Sequence, residues 1–476
     1  MLQTLKNAWK TKELRDKIFF TLFILLIYRI GTVIPVPFVE AHGFSDMLGG
    51  TILGQMDILT GGSLGQATLF ALGVSPYINA SIIIQLLAVV FPKLAEITKN
   101  DKEKMNLITR VTTVALAIVT AIGYYFLMKK YGWLTNAATG ADNNAAWFYG
   151  IVIVACYVAG ASVIMWLGER INERGIGNGI SMILFANIVS SIPSFVYNLV
   201  TLAIPTYQYE VKAWLYAIVS TLFAILLIAV MVAMFVFIIW VTGSERRIPI
   251  QYAKRVVGRK MYGGQSSNLP IKLNMTGVMP VIFASSIVSL VPTILEFCDV
   301  NADTKTGWGT VYRIFSHQGV VYPILLFVLI IAFAYFYTQI SFDPIEVSNN
   351  IKRQGGTIPG IRQGRPTAMY IKKILNKVTL VGALFLGIVA VLPVIAGPHI
   401  IQHIVRWISE GSIATLDKGN WLYTYYQQYY IEPQVSRLTS IFTFGGTSLL
   451  IIVGVVLETF RDLEAQLTMR NYKGFL

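Results

Sequence analysis

Charge is scarce in this sequence. Only 13% of its 476 residues are Asp, Glu, Lys or Arg, about half the share found in soluble domains, while 55% are hydrophobic. A chain so poor in charge cannot hide its apolar surface in one water-soluble core, so the bilayer must solvate most of it. Cysteine is scarcer still: Cys156 lies in an apolar run and Cys298 near the end of one. That excludes a disulfide framework and a thiolate metal cluster. Of the four histidines, His399 and His403 stand four apart, but Ile400 occupies the place where the metalloprotease pattern needs glutamate. We read an external amphipathic turn there and no metal site. No phosphate-binding loop, no HExxH and no pair of aspartates within an apolar run occurs. The pattern therefore offers nothing for nucleotide hydrolysis or intramembrane proteolysis. The apolar run after MLQTLKNAWKTKELRDK has no small-residue cleavage site, so we read it as a retained first span and not as a signal peptide.

What the sequence does have is long apolar runs. A span needs roughly 20 apolar residues, and ten candidates occur: 18–36, 69–91, 107–128, 147–167, 180–200, 213–241, 275–295, 320–340, 375–395 and 438–459. Unbroken runs of this length suit helices; a closed barrel would need short alternating segments. With both termini in the cytoplasm, 29 of the 38 Lys and Arg residues fall on cytoplasmic segments, as the positive-inside rule asks. Ten spans divide into two halves of five, 1–200 and 201–476. An odd number of spans per half gives the halves opposite orientation, so an inverted repeat would place a functional site at the midplane. A secondary transporter built on inverted repeats is one reading. It would need buried ionisable groups to couple ions, and Arg29, near the external end of the first span, is the clearest charge inside a span.

Three stretches are more specific. Gly49–Gln85 begins Gly-, Ser- and Thr-rich, too short and polar to span, and continues into an apolar run with Pro76 near its start and Asn79, Ser81 and Gln85 along it. Polar re-entrant backbone is tolerated in a membrane only where protein or a water cavity covers it, so this region either lines or plugs a cavity or is an external loop before a helix. WLGERINERGIGNGIS (166–181) resembles a dinucleotide loop only superficially, since no strand precedes it; a tight glycine turn between spans fits better. Loops 242–274 and 341–377 carry seven Lys and Arg residues each and are longer than helix connectors usually are. Topology explains their charge but not their length, and projecting basic fingers suit contact with an RNA backbone or an acidic protein.

GVSPYINASIIIQLL, WLGERINERGIGNGIS, RRIPIQYAKRVVGR, NMTGVMPVIFASS, GTIPGIRQGRPTAMYI, VTLVGALFL and FTFGGTSLLI occur in this order along nearly every span. Together they resemble the recurrent motifs of the SecY family. The resemblance implies an all-α integral membrane protein of ten transmembrane helices, two inverted five-helix halves forming a clamshell around a pore. It implies a protein-conducting channel subunit, not an enzyme and without cofactors, in a bacterial cell membrane. The implied partners are SecE and SecG, the SecA motor or the ribosome on the cytoplasmic side, signal sequences and nascent polypeptides. Carried over by motif, a pore ring would comprise Val74, Ile78, Leu184, Ile282 and Ile451; Val74 and Leu184 stand where the family more often has isoleucine. A plug would run from about 51 to 66, including Met56, Asp57, Ile58, Leu59, Thr60, Gly61 and Gly62. A lateral gate would lie between the second and seventh spans near Asn79, Gln85, Ser285 and Ser286. Arg255, Arg259, Arg362 and Arg365 would meet SecA or the ribosome. The aromatic-rich external stretch 396–437 is longer than the family usually has there.

Overall fold

The computed structural model describes residues 2–40, 57, 60–135, 146–203, 213–252, 255–257, 260–262, 266–298, 307–315, 319, 321–396 and 446–473. Among these residues, ten helices correspond one to one with the ten apolar runs: α2 (Lys12–Gly31), α3 (Ser75–Val90), α5 (Lys102–Lys130), α6 (Ala146–Arg174), α7 (Gly179–Ala203), α8 (Ala213–Gly243), α9 (Met279–Phe297), α11 (Val321–Ser341), α13 (Arg365–Ile395) and α14 (Thr447–Lys473). Four shorter ones, α1 (Leu2–Lys10), α4 (Pro92–Asn100), α10 (Gly307–Phe315) and α12 (Pro344–Arg353), connect or flank them. Among the described residues, seven helices are long and apolar enough to cross a membrane by length and composition alone. Of the other three expected spans, α3 is apolar but short, while α2 opens and α14 closes on charged turns. The outer faces are apolar, as on α8, where Leu222, Leu226, Val236 and Trp240 are exposed. So large an apolar surface belongs against lipid.

Some boundaries differ from the apolar runs, for local reasons. The first span ends at Gly31 instead of 36 because the chain turns into a bridge, Pro35 opposite Thr68. There the Val36 amide donates to the Ala67 carbonyl and the Leu69 amide to that of Ile34. The second helix begins at Ser75, not 69, after a series of turns from residue 61. Aspartates restart helices on the basic-loop side. Asp101 accepts from the Lys104 amide (3.2 Å) ahead of α5, and Asp343 from the Ile345 amide (2.8 Å) ahead of α12, each satisfying a donor the first turn leaves open.

The two long basic loops are not separate fingers. Loop 242–274 folds into β1 (Glu245–Tyr252), β2 (Arg255–Val257), β3 (Lys260–Tyr262) and β4 (Ser266–Lys272), and loop 341–377 supplies β5 (Gly356–Thr357). β1 is central, pairing antiparallel with β4 over Glu245–Gln251 and with β5 at Gln251 and Tyr252; β2 and β3 make a separate hairpin. Ile248, Ile250 and Ile271 of the sheet pack with Ile351, Ile358, Ile371 and Leu375 in a small core of their own. The loops are thus one folded unit mounted on α12 and α13.

The glycine turn at 175–179 ties the chain's two ends together. Gly177 holds φ +74°, a conformation that favours glycine, and Asn172 and Asn178 cap the start of α7 through the amides of Gly179 (2.7 Å) and Ile180 (3.1 Å). The Ile176 amide donates to Thr21 Oγ1 on α2 (3.1 Å), and the Gly177 amide to Asp462 on α14 (3.2 Å). Lys17 Nζ donates to Gln466 Oε1 (3.0 Å), while Ala8, Leu14, Ile176 and Leu463 bury one another below.

Candidate functional site

The five residues proposed for the pore ring lie at the starts of four helices. Val74 caps α3 and Ile78 lies in its first turn, while Leu184, Ile282 and Ile451 all lie within the first six residues of α7, α9 and α14. All five are buried in a single apolar cluster. The same cluster also takes in residues of α2, α6, α8, α11 and α13.

The starts are built alike. Gly73-Val-Ser-Pro-Tyr-Ile-Asn-Ala-Ser81 and Gly277-Val-Met-Pro-Val-Ile-Phe-Ala-Ser285 share six of nine residues. Gly73 and Gly277 both hold positive φ, 56° and 64°. Val74 and Val278 are N-caps at nearly the same angles, and a proline opens each helix. Gly179-x-Ser181-x-x-Leu184 and Gly446-x-Ser448-x-x-Ile451 form a second pair, both serines buried. These pairs relate span 2 to span 7 and span 5 to span 10, an offset of five. Sequence reasoning missed them, although the identities were there to be aligned.

Beside the start of α3 lies the Gly-rich segment. Met56, Ile58 and Leu59 lie outside the described residues; Asp57, Thr60, Gly61 and Gly62 are within them. The Gly62 amide donates to the Asp57 carbonyl (2.8 Å), Asp57 Oδ1 accepts from the Gly65 amide (2.7 Å), and Ser63 Oγ donates to the Thr60 carbonyl (2.9 Å). Thr60, Ser63, Leu64 and Ala67 are buried. A Cβ on Gly73, the residue before Val74, would come within 2.6 Å of Thr60 Cγ2, so the segment abuts the base of α3. Leu64 and Ala67 pack with Ala117, Tyr124, Ile153 and Tyr157 of α5 and α6.

α3 and α9 pack together, but on α9 Ser285 Oγ donates to the Ile282 carbonyl of its own helix (2.9 Å) and Ser289 Oγ to the Ser286 carbonyl (3.0 Å). The polar tie across this face runs instead to the eighth span. Tyr337 Oη donates to Gln85 Oε1, and Gln85 Nε2 donates to Ser81 Oγ (2.9 Å). The Tyr337 ring also packs on Phe283 at 5.1 Å between centroids. Tyr337 was not expected from sequence, because a tyrosine in an apolar run looks like core. Asn79 Oδ1 is buried without a hydrogen-bond partner among the described residues. Farther along α9, the Phe297 ring meets the Tyr124 ring edge-on at 5.3 Å and covers Gly123 of α5.

On the basic side, Arg362 and Arg365 are exposed. The backbone beneath them is pinned: Thr367 Oγ1 donates to the Arg362 carbonyl and Ser348 Oγ to the Gly364 carbonyl, each at 2.8 Å. Arg255 lies in β2, and Arg259 lies outside the described residues, as do His399, His403 and the 397–437 stretch. Among the described residues no three His, Cys, Asp or Glu side chains form a group that could hold a metal. On β4, burial and the neighbouring Arg461 charge hold the Lys272 ammonium below its ordinary pKa.

A family model for SecY matches residues 68–460. Over the full length of both chains, the sequence is 40% identical to the protein translocase subunit SecY of Streptomyces coelicolor, an alignment that covers 100% of each. Among solved structures, one described as that of a protein conducting channel is similar with a TM-score of 0.56 at 17% identity, covering 94% of this chain and 91% of that one. Sec61 in the canine ribosome-channel complex from the endoplasmic reticulum gives a TM-score of 0.52 at 16% identity, over 94% and 91%. At such identities the structures speak for the fold.

Proposed function

The chain belongs to the SecY family, and we propose that it is the pore subunit of a bacterial protein-conducting channel, passing unfolded secretory polypeptides across the cell membrane and releasing apolar segments sideways into lipid. The observation that carries this reading is that four helix starts bury their aliphatic residues in one continuous apolar cluster, which we read as the collar of the pore. A narrow apolar constriction resists wetting, so it holds back ions, yet its side chains yield to a polypeptide. The segment beside it, from about 51 to 66, acts as the plug. α3 faces α9 and α11 across the lateral gate. The gate's polar ties are worth roughly 0.6 to 2 kcal/mol each, while an entering signal sequence gains about 0.8 kcal/mol per buried CH₂. A signal sequence therefore outbids the closed gate.

As a channel subunit it carries out no covalent chemistry; a SecA motor or a translating ribosome supplies the drive. Both would dock on the basic sheet unit through Arg255, Arg259, Arg362 and Arg365, and rRNA phosphates suit that charge. SecE and SecG complete the complex. Both termini face the cytoplasm, as the loop charges ask. Reconstitution with SecE in proteoliposomes tests the reading: a secretory protein should be taken up when SecA and ATP are supplied. Uptake of a small solute driven by an ion gradient, with no polypeptide passage, would establish a secondary transporter instead.

A further inference from the structure

The glycine pair of the plug is two different things. Gly61 and Gly62 both hold positive φ, 71° and 83°, so each is strained by a side chain for backbone reasons. Their surroundings differ. A Cβ on Gly62 would meet nothing within 4 Å. A Cβ on Gly61 would lie 2.9 Å from Arg29 Nη1, 2.9 Å from Ser190 Oγ and 3.1 Å from Asn187 Oδ1. Three polar groups, from α2 and α7, close around one α-carbon. Asn187 is wholly buried, and Arg29 Nη1 is buried without a hydrogen-bond partner among the described residues. A cation inside a membrane protein is costly and is retained for a use. Neither the collar nor the gate includes Arg29.

We propose that Arg29, Asn187 and Ser190 form the socket in which the plug seats, positioning residues whose closeness admits only glycine at 61. The proposal rests on reading 51–66 as a plug. The socket draws on the first and fifth spans, and the plug's other packing described above is to α5, α6 and the base of α3. The seat therefore belongs to the N-terminal half. When α9 and α11 swing away from α3, the seat stays whole, so the plug can return to the same surface however far the gate has opened.

The test uses the full complex in planar bilayers. Asparagine tolerates positive φ better than other side chains, so Gly61→Asn and Gly62→Asn separate strain from collision. Gly61→Asn should raise resting ion conductance several-fold, Gly62→Asn much less, and adding Arg29→Ala to Gly61→Asn should bring the leak back down by giving the new side chain room. Equal leaks from the two asparagine variants, or no relief from Arg29→Ala, would overturn the socket. Ser190→Leu offers a second route that leaves the plug sequence untouched: it fills the same cup and should leak, and a tight channel there counts against the proposal. Deleting residues 55–64 distinguishes the two levels. If the deletion leaks while Gly61→Asn and Ser190→Leu stay tight, the socket alone is wrong. If the deletion is as tight as the parent, the plug reading fails and the socket with it.

Discussion

Arg362 shows how a single side chain can be free while its backbone is fixed. Its carbonyl is held by Thr367 and its turn by Ser348, yet the guanidinium side chain is exposed. Arg362→Glu should therefore leave membrane insertion and SecE association intact while sharply reducing secretion; normal secretion in a complementation assay would remove the contact role. The collar makes a second residue-scale expectation. Ile78→Ser or Ile282→Ser should raise ion leak through the resting channel, because a polar ring wets more easily, and conductance measurements would show it. A sealed channel with several ring residues changed would sink the dewetting account. The collar residues could be proposed from the sequence because each sits in a distinctive motif. Tyr337 was not legible: nothing in VLIIAFAYFYTQIS marks one tyrosine as a tie, and only the fold brings it to Gln85. Tyr337→Phe should weaken gate closure by about 1 kcal/mol, roughly five-fold in the closed-to-open ratio, read as easier export of proteins with defective signal sequences. Unchanged export would mean the bond adds nothing to closure.

Among the elements, all ten spans could be read from apolar run length, and their ends could not. The ends depend on partners remote in sequence, such as the bridge between Pro35 and Thr68. The cytoplasmic sheet was hidden differently. In RRIPIQY the buried residues alternate, Ile248 and Ile250 against exposed Arg247 and Gln251, which is the period of a strand. The surrounding charge and glycine drew the eye to an open finger, and the partner strand β5 lies about a hundred residues away. Because the sheet has its own core, Ile250→Ala should cost about 2–5 kcal/mol of local stability and release both basic loops together. Limited proteolysis would then cut near 253 and near 360 at matched rates, whereas cleavage of one loop alone would deny that they form one unit. For the plug, deletion of residues 55–64 should favour opening: resting leak and export with defective signal sequences should both rise. A passive loop would change neither.

At the scale of the whole molecule, the arithmetic of five and five spans was available from the start, and the repeat that realises it lay unrecognised in GVSPYINAS and GVMPVIFAS. Short identities far apart in a chain rich in the same few apolar residues do not stand out until geometry sets them side by side. The architecture also says how such a molecule can move. The amides of Ile176 and Gly177, with Lys17, fasten the first span, the glycine turn and the last helix to one another. A book whose front and back boards are stitched to the same spine opens only along its fore-edge. Separation at α3 and α9 is then a swing about that stitching, with travel growing with distance from it. Pairs of spin labels would record it: the 17–466 distance should hold constant between resting and translocating complexes while the 81–286 distance lengthens. Equal lengthening of both would mean the halves part as free plates. A spine of this kind fixes which way an apolar segment can leave, so that one flank of the channel meets lipid during every opening and the opposite flank meets it during none.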